Sequence, residues 1–397
     1  MANPQVCPTF QEISFEKHSK DISTFGFESL CSFGHPNESS PVPSAKNALV
    51  IFASLREKRC VNPIRFLILA AYCIATTSAH AADSRQDFLK LIDRPRVGPD
   101  PKVEELPATN GLAVSHFTFA SDAGQRVPGF LLKSVEAQSR RPVVIALHGT
   151  GGSKSDMLPL CRRLAARGFI TVAIDGRYHG ERSPTKGAYD AAILRAWHQP
   201  GEHPFFYDTV WDVMRLVDYL ESRDDVDPSR IGLIGISKGG IETYLAAAAD
   251  KRIAAAVPCI GVESFRWALD NTNWQGRVGT IQKTFDAIVK ESGATNVDTA
   301  LVRKFYDRVV PGIYGEFDGP AMVPLIAPRS LFIINGDSDP HTPLPGVNEC
   351  VEVTRRVYHD ANADDHLKVL IQEHTGHKVN PESEREAIEW FVKWLKP

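Results

Sequence analysis

Short runs of wholly apolar residues recur between residues 143 and 372 and alternate with segments of helical periodicity. Such runs are typical of strands that are buried on both faces, as in a parallel sheet covered by helices. We predict buried strands at 143–147, 169–174, 231–236, 253–259, 331–334 and 368–372, and helices at 157–167, 206–222, 239–249, 346–359 and 383–395. This alternation predicts an α/β fold with a mainly parallel central sheet flanked by helices.

Two other segments depart from that pattern. Residues 113–133 alternate between apolar and polar side chains, which predicts two antiparallel strands joined by a turn at 121–124. Residues 261–325 are rich in Trp, Asn, Asp and Gly and break the regular alternation, with one helical piece at 280–292. We interpret this stretch as a cap-like insertion over the functional site.

The sequence of the N-terminal part of the chain does not predict a folded domain. Residues 1–60 lack an apolar period, so we expect them to be disordered or a mis-annotated extension, with translation starting at Val61. Basic residues precede the apolar run 66–75, and Ala79-His80-Ala81 follows it. This pattern predicts a signal peptide over 61–81 that is cleaved after Ala81, and therefore a secreted or periplasmic domain over 82–397.

Composition narrows the possible partners. The net charge is −3, from 45 basic and 48 acidic residues. The chain therefore has no excess of positive charge that would favour binding to nucleic acid. No apolar run reaches the roughly 18 to 20 residues of a stable membrane span. Beyond the predicted signal peptide the cysteines are Cys161, Cys259 and Cys350, without a C-x-x-C pair. That set favours neither a disulfide framework nor a zinc site, although one disulfide remains open.

The segment Gly235-Ile236-Ser237-Lys238-Gly239 lies between a predicted buried strand and a predicted helix. G-x-S-x-G in that context is typical of a strained turn that lifts a nucleophilic serine above the sheet. We therefore predict that Ser237 is the nucleophile. The backbone N–H of Lys238 would be one oxyanion donor, and its side chain would face solvent or the leaving group.

A serine nucleophile needs a base and a carboxylate that orients the base, and in this architecture they follow it as acid and then histidine. Asp339 follows the fifth buried strand within a G-x-x-D-x-x-x-P pattern, so we prefer it to Asp337, which we interpret as a turn residue. His377 precedes the last helix, and we prefer it to His374 as the base. The His-x-x-His pair has no third ligand at useful spacing, so we predict no metal.

Two loops follow the first two buried strands. The loop His148-Gly149-Thr150-Gly151-Gly152 is glycine-rich, and we predict that Thr150, or otherwise Gly151, supplies the second oxyanion donor. Part of this loop resembles a phosphate-binding loop, but Ser153 stands where that motif requires glycine. The loop 175–182 is either the rim of a substrate pocket or an ion-paired structural loop, and the sequence leaves both open.

Together these motifs resemble the α/β-hydrolase superfamily over about residues 110–397. The sequences carrying the resemblance are H-G-T-G-G, D-G-R-Y-H-G, G-I-S-K-G-G, G-D-S-D-P-H-T-P and T-G-H. Within the superfamily the chain is similar to the dienelactone hydrolase and acetyl xylan esterase branch. That resemblance implies an α/β-hydrolase fold, a triad of Ser237, His377 and Asp339, no cofactor, and a small-molecule ester as substrate. A serine departs from true dienelactone hydrolases, which use cysteine.

The resulting prediction is a serine esterase that cleaves small acyl groups, such as acetyl, through an acyl-enzyme. Three alternatives remain open from the sequence: an acyl thioesterase, a peptidase similar to prolyl oligopeptidase, and a non-catalytic binding protein on the same fold. The first two would use the same triad on another bond. The third would not react with a probe for active serines.

Overall fold

The computed structural model describes residues 84–136, 139–199 and 201–397. The predicted N-terminal extension over 1–60 and the predicted signal peptide over 61–81 lie outside these ranges. No helix within the described ranges is long and apolar enough to cross a membrane.

The described strands form one nine-stranded sheet in the order β1-β2-β3-β5-β4-β6-β7-β8-β9. The strands are β1 (Lys102–Thr109), β2 (Leu112–Asp122), β3 (Gln125–Ser134), β4 (Arg141–Leu147), β5 (Ile170–Ile174), β6 (Val226–Ile236), β7 (Ile253–Cys259), β8 (Ser330–Gly336) and β9 (Leu367–Gln372). β1, β2, β3 and β5 pair antiparallel, in that order along the sheet. From β5 through β4 to β9 all neighbouring strands are parallel.

Helices connect these strands. They are α1 (84–92), α2 (Leu158–Ala165), α3 (Ala188–His198), α4 (Tyr207–Glu221), α5 (Lys238–Ala249), α6 (Phe265–Asp270), α7 (Gln275–Gly279), α8 (Gln282–Ser292), α9 (Thr299–Val309), α10 (Gly319–Met322), α11 (Leu344–Asp360) and α12 (Pro381–Leu395). α6 to α10 all lie between β7 and β8, within the segment that interrupts the sequence pattern.

The central strands β4, β5 and β8 are buried on both faces, as their apolar residues require, whereas β1 is mostly exposed and β9 is half-buried. In β4, Val143 and Ile145 belong to one core cluster, with residues of α4, α5 and α11, while Val144 and Ala146 belong to a second, with residues of α2 and α12. The predicted fold, a mainly parallel sheet between two layers of helices, is confirmed. Three described cysteines, Cys161, Cys259 and Cys350, are buried free thiols.

Candidate active site

Ser237 lies at a sharp turn between β6 and α5. Its φ of +58° and ψ of −115° are unusual for a residue with a side chain. The glycines at 235 and 239 make this turn possible: a Cβ at Gly235 would lie 2.1 Å from the Gly239 carbonyl oxygen, and a Cβ at Gly239 would lie 2.5 Å from the Leu147 carbonyl oxygen. The Ser237 N–H donates to the Cys259 carbonyl at 2.9 Å, which ties the turn to β7.

Three of the residues predicted from the sequence meet at the carboxyl ends of β6, β8 and β9. The Oγ of Ser237 lies 2.7 Å from Nε2 of His377, and Nδ1 of His377 lies 2.7 Å from Oδ2 of Asp339. A carboxylate at Nδ1 favours the tautomer that carries its proton there, so Nε2 is free to accept the serine proton. The arrangement can therefore generate a serine nucleophile.

Asp339 is held by more than the histidine. Its Oδ1 accepts the N–H of His341 at 2.8 Å, and its Oδ2 accepts the hydroxyl of Thr342 at 2.9 Å. Burial opposes ionisation of this carboxyl, but its hydrogen bond to His377 and the charge of that ring outweigh burial, and the pKa of Asp339 lies below its ordinary value. The carboxylate is therefore ionised at neutral pH and can stabilise a protonated base.

The two rival residues lie in the supporting loop. Asp337 accepts the backbone N–H groups of His374 at 2.9 Å and Thr375 at 3.0 Å, which is the behaviour of a turn residue. His374 is exposed and has a φ of +47°. Among the described residues, no group of three or more His, Cys, Asp or Glu side chains could hold a metal ion.

The glycine-rich loop after β4 packs against the serine. A Cβ at Gly149 would lie 3.5 Å from the Cβ of Ser237. The N–H of Gly152 donates to the carbonyl of Gly149 at 3.1 Å, and Gly151 has a φ of +75°, so Thr150 and Gly151 form the corner of a tight turn. On the other side of the serine, the N–H of Lys238 begins α5, where no intrahelical acceptor is available.

His148 holds that loop in place. Its Nδ1 donates to the carbonyl of Gly149 at 2.8 Å, and its Nε2 accepts the N–H of Gly176 at 3.0 Å, so the ring joins the loops after β4 and β5. Burial, reinforced by the charge of Lys238, lowers the pKa of His148 to about 4. The ring is therefore neutral with a fixed tautomer at neutral pH.

The expectation for the side chain of Lys238 is wrong. It does not face solvent or a leaving group, because it is 1% exposed and its Nζ forms an ion pair with Glu242, which is equally buried. Residues four apart share one face of a helix, and this face of α5 packs against the loop after β5. A Cβ at Gly176 would lie 3.2 Å from this Nζ.

The loop 175–182 is ion-paired and structural, which is one of the two interpretations that the sequence left open. Asp175 is fully buried and accepts the backbone N–H of Lys154 at 2.8 Å and its Nζ at 2.7 Å. Arg177 is buried in an ion pair with Asp212 at 3.0 Å. Lys154, the residue after Ser153, therefore anchors this loop.

Sequence reasoning missed three residues beside the triad. His341 lies against His377, with ring centroids 4.3 Å apart, and its Nδ1 bonds the carbonyl of Gly276 in α7. Glu263 and Arg277 form a buried ion pair nearby. His341 lies inside the quoted G-D-S-D-P-H-T-P motif, so its position could have been noticed. The other two come together only when the segment 261–325 folds.

Comparisons with known proteins show what the chain is similar to. Residues 91–271 match the family model for acetyl xylan esterase (AXE1). The Bacillus subtilis protein YtaP is 26% identical over 284 residues, covering 68% of this chain and 84% of YtaP, and YitV of the same organism is 26% identical over 259 residues, covering 64% of this chain and 89% of YitV. The solved structure of acetyl xylan esterase 1 from Thermoanaerobacterium superposes with a TM-score of 0.59 at 17% identity, covering 79% of this chain and 93% of that one.

The solved structure shows likeness of fold, and the family match shows likeness of sequence over the nucleophile elbow and its surroundings. The matched family consists of carboxylic ester hydrolases. The predicted α/β-hydrolase fold, the resemblance to acetyl xylan esterases and the class of carboxylic ester hydrolase are thereby confirmed.

Proposed function

We propose that this protein hydrolyses small carboxylic esters, such as acetyl esters of carbohydrates, through a covalent acyl-enzyme on Ser237. The observation that carries the proposal is the continuous contact from Ser237 through His377 to Asp339, with both hydrogen bonds at 2.7 Å. The match to the acetyl xylan esterase family supports the choice of acyl group.

In the first half of the reaction, Oγ of Ser237 attacks the acyl carbon while Nε2 of His377 takes the serine proton. The backbone N–H groups of Thr150 and Lys238 hold the oxyanion that forms. When the tetrahedral intermediate collapses, His377 gives its proton to the departing alcohol. Asp339 keeps the ring oriented and stabilises its charged form.

In the second half, a water molecule takes the place of the alcohol. His377 removes a proton from the water, the oxygen adds to the acyl carbon, and Ser237 leaves with the proton returned by His377. The acid is released and the free enzyme is restored, so the overall reaction consumes one ester and one water. No redox step or cofactor enters this sequence.

The expected site of action is outside the cytoplasm, in the periplasm or the medium. This part of the proposal rests on the predicted signal peptide over residues 61–81. N-terminal sequencing of the native protein tests it, since a mature N-terminus next to Ala81 supports export and one upstream of residue 60 contradicts it.

Hydrolysis of p-nitrophenyl esters from acetyl to dodecanoyl, by the wild type and by Ser237→Ala, tests the chemistry. We expect highest activity on the shortest chains and a loss of about 10³-fold or more in Ser237→Ala. Ser338→Ala, which changes an exposed serine on the neighbouring loop, is the matched control and should retain wild-type activity. Equal activity of wild type and Ser237→Ala would show that Ser237 is not the nucleophile.

A further inference from the structure

The side chain of Lys238 is buried close to the nucleophile, and the proposed reaction does not use it. Lys238 directly follows Ser237, and its backbone N–H is one of the two proposed oxyanion donors. Its Nζ forms an ion pair with Glu242, which lies one turn further along α5 and is buried as well. The role of this pair has to be sought in what its atoms contact.

Helix stability does not account for a lysine at this position. Lys238 is the first residue of α5, where the positive end of the helix dipole opposes a cation. Moving two charges out of water is costly, and apolar side chains of similar size often stabilise a fold equally well. Burial raises the pKa of Glu242 to about 7, although the charge and the hydrogen bond of Lys238 oppose this shift. The pair therefore carries a cost that stability alone does not explain.

The ammonium group contacts the loop after β5 at Gly176. A Cβ at Gly176 would lie 3.2 Å from Nζ of Lys238, 3.3 Å from Oγ1 of Thr209 in α4 and 3.5 Å from Nε2 of His148. A side chain larger than hydrogen would press against all three groups. The backbone at residue 176 is therefore held between an ammonium, a hydroxyl and an imidazole.

Gly176 in turn fixes the glycine-rich loop after β4. Its N–H donates to Nε2 of His148 at 3.0 Å, and Nδ1 of that ring donates to the carbonyl of Gly149 at 2.8 Å. The same carbonyl accepts the N–H of Gly152 at 3.1 Å and so closes the turn that carries Thr150, the other proposed oxyanion donor. A continuous set of contacts therefore leads from the ammonium group to the second donor.

Three buried rings pack around these contacts. The ring of Tyr189 lies 5.9 Å from Nζ of Lys238, and the ring of His179 lies 4.3 Å from Tyr189 and 5.0 Å from His148. Close-packed interiors transmit small shifts to their neighbours. A displacement of the ammonium group would therefore be passed on to Gly176 and His148.

We propose that the Lys238–Glu242 ion pair positions the oxyanion hole. It fixes the N–H of Lys238 directly, and the N–H of Thr150 through the contacts at Gly176 and His148. Lys238 and Glu242 act in this way as positioning residues, through backbone groups and not through contact of their side chains with the ester. The inference rests on the proposed esterase function and adds two residues to its site.

An oxyanion hole acts on charge that develops during the reaction, so its disturbance should weaken binding of an oxyanion more than binding of an uncharged ligand. A short trifluoromethyl ketone provides the oxyanion. Oγ of Ser237 adds to its carbonyl carbon, the serine proton passes to Nε2 of His377, and the π electrons of the C=O bond become a lone pair on the oxygen. The corresponding methyl ketone has a similar shape and a far less electrophilic carbonyl, so it reports binding without this addition.

The variants for this test are Lys238→Met, which keeps the length of the side chain without its charge, and Glu242→Gln, which keeps its shape. Their matched controls are Arg356→Met and Glu352→Gln, which change an exposed ion pair of the same i, i+4 spacing in α11. Hydrolysis of p-nitrophenyl acetate gives kcat and KM, and its inhibition by each ketone gives the two affinities. The assays are run at pH 8, where a carboxyl group with a pKa of about 7 is ionised.

We expect kcat and the affinity for the trifluoromethyl ketone to fall about tenfold or more in both variants, while KM and the affinity for the methyl ketone change by less than about twofold. The controls should keep all four wild-type values. Unchanged kcat and unchanged affinity for the trifluoromethyl ketone would overturn the proposal. Equal losses of affinity for both ketones would also overturn it, because the pair would then maintain the site only in a general way.

Gly176→Ala keeps the ion pair intact and tests the same contacts if the two charge variants fail to fold. Its methyl group would lie 3.2 Å from Nζ of Lys238, so the ammonium group has to shift by a few tenths of an ångström. We expect the affinity for the trifluoromethyl ketone to fall about threefold or more relative to that for the methyl ketone. Gly124→Ala, which meets open space, is the control, and equal affinity ratios in Gly176→Ala and wild type would contradict the proposal.

Failure of the esterase proposal would look different. The wild type would then neither hydrolyse p-nitrophenyl acetate nor bind the trifluoromethyl ketone more tightly than the methyl ketone. An active wild type with a strong preference for the trifluoromethyl ketone, together with variants that keep this preference, would overturn only the role of the ion pair.

Discussion

His341 is placed to fix the orientation of the catalytic base. Its ring packs edge-on against His377, and its backbone N–H donates to Asp339. One residue therefore contacts both the base and the acid of the triad. Burial lowers the pKa of His341, and the charge of His377 acts in the same direction. The ring therefore stays neutral at neutral pH and does not oppose protonation of its neighbour.

We predict that His341→Ala lowers kcat by roughly tenfold with a smaller change in KM, because loss of the packed ring lets His377 move away from its reactive geometry. The backbone bond to Asp339 would remain. Steady-state kinetics on p-nitrophenyl acetate measures the effect, with His359→Ala at an exposed position as control. An unchanged kcat would mean that Asp339 alone positions the base.

Substitutions of the two aspartates after β8 are expected to lower kcat to different extents. Asp339→Asn leaves an amide at Nδ1 of His377 and favours the wrong tautomer, so kcat should fall by about 10³ to 10⁴. Asp337→Asn disturbs only the turn that carries His374 and Thr375 and should lower kcat less than tenfold. Parallel kcat measurements decide between them, and a larger loss at Asp337 would reverse our assignment of the acid.

At the scale of elements, the buried strands and the longer helices could be predicted because their apolar content follows a clear period. β1 could not, because most of its residues are exposed and it pairs only with β2 at the edge of the sheet. The start of β6 at Val226 was also missed, since Asp227, Pro228 and Arg230 interrupt the apolar run that follows. Burial on both faces is what the pattern detects.

The triad could be predicted from the strand pattern, but the other residues of the site could not. Ser237 and Asp339 follow buried strands and His377 follows the half-buried β9, and the fold brings the ends of these strands to one edge. Glu263 precedes α6 and Arg277 lies in α7, both short helices without an apolar period, and the two residues meet only when α7 packs on the loop at Pro340. No local pattern encodes that contact.

The junction between β6 and α5 gives a prediction at this scale. Gly239→Ala would place a methyl group 2.5 Å from the backbone oxygen of Leu147, where no flexible side chain can give way. We expect a loss of about 2 to 3 kcal/mol in the free energy of unfolding, measured by urea denaturation. Gly124→Ala, which meets open space, is the control. Equal stability of Gly239→Ala and wild type would contradict the close packing described here.

At the scale of the molecule, buried charge and neutral imidazoles lie together behind the site. Lys238 pairs with Glu242, and the rings of His148 and His179 lie 5.0 Å apart beside them. Burial, with the charge of Lys238 second, lowers the pKa of His148 to about 4 and that of His179 to about 2. The folded protein therefore resists protonation at two sites that are readily protonated in the unfolded chain.

This difference makes stability depend on pH with a definite sign. Between the unfolded pKa of about 6.5 and the folded value near 4, the unfolded chain binds the His148 proton and the folded chain does not, so stability falls as pH falls. Glu242 and Glu263 act oppositely, because burial raises their pKa values to about 7. The dependence of the unfolding free energy on pH therefore contains both effects. A comparison with a variant is needed to isolate the contribution of the histidine.

We predict that His148→Gln removes this contribution while its side-chain oxygen still accepts the N–H of Gly176. From pH 6.5 to 5.5 the wild type should lose about 1 kcal/mol of unfolding free energy relative to the variant. Urea denaturation of both proteins at pH 6.5, 6.0 and 5.5 measures the difference, with His359→Gln at an exposed position as control. A difference between wild type and His148→Gln that stays constant across this range would mean that His148 titrates alike in the folded and unfolded chains, which is incompatible with its burial between the loops after β4 and β5.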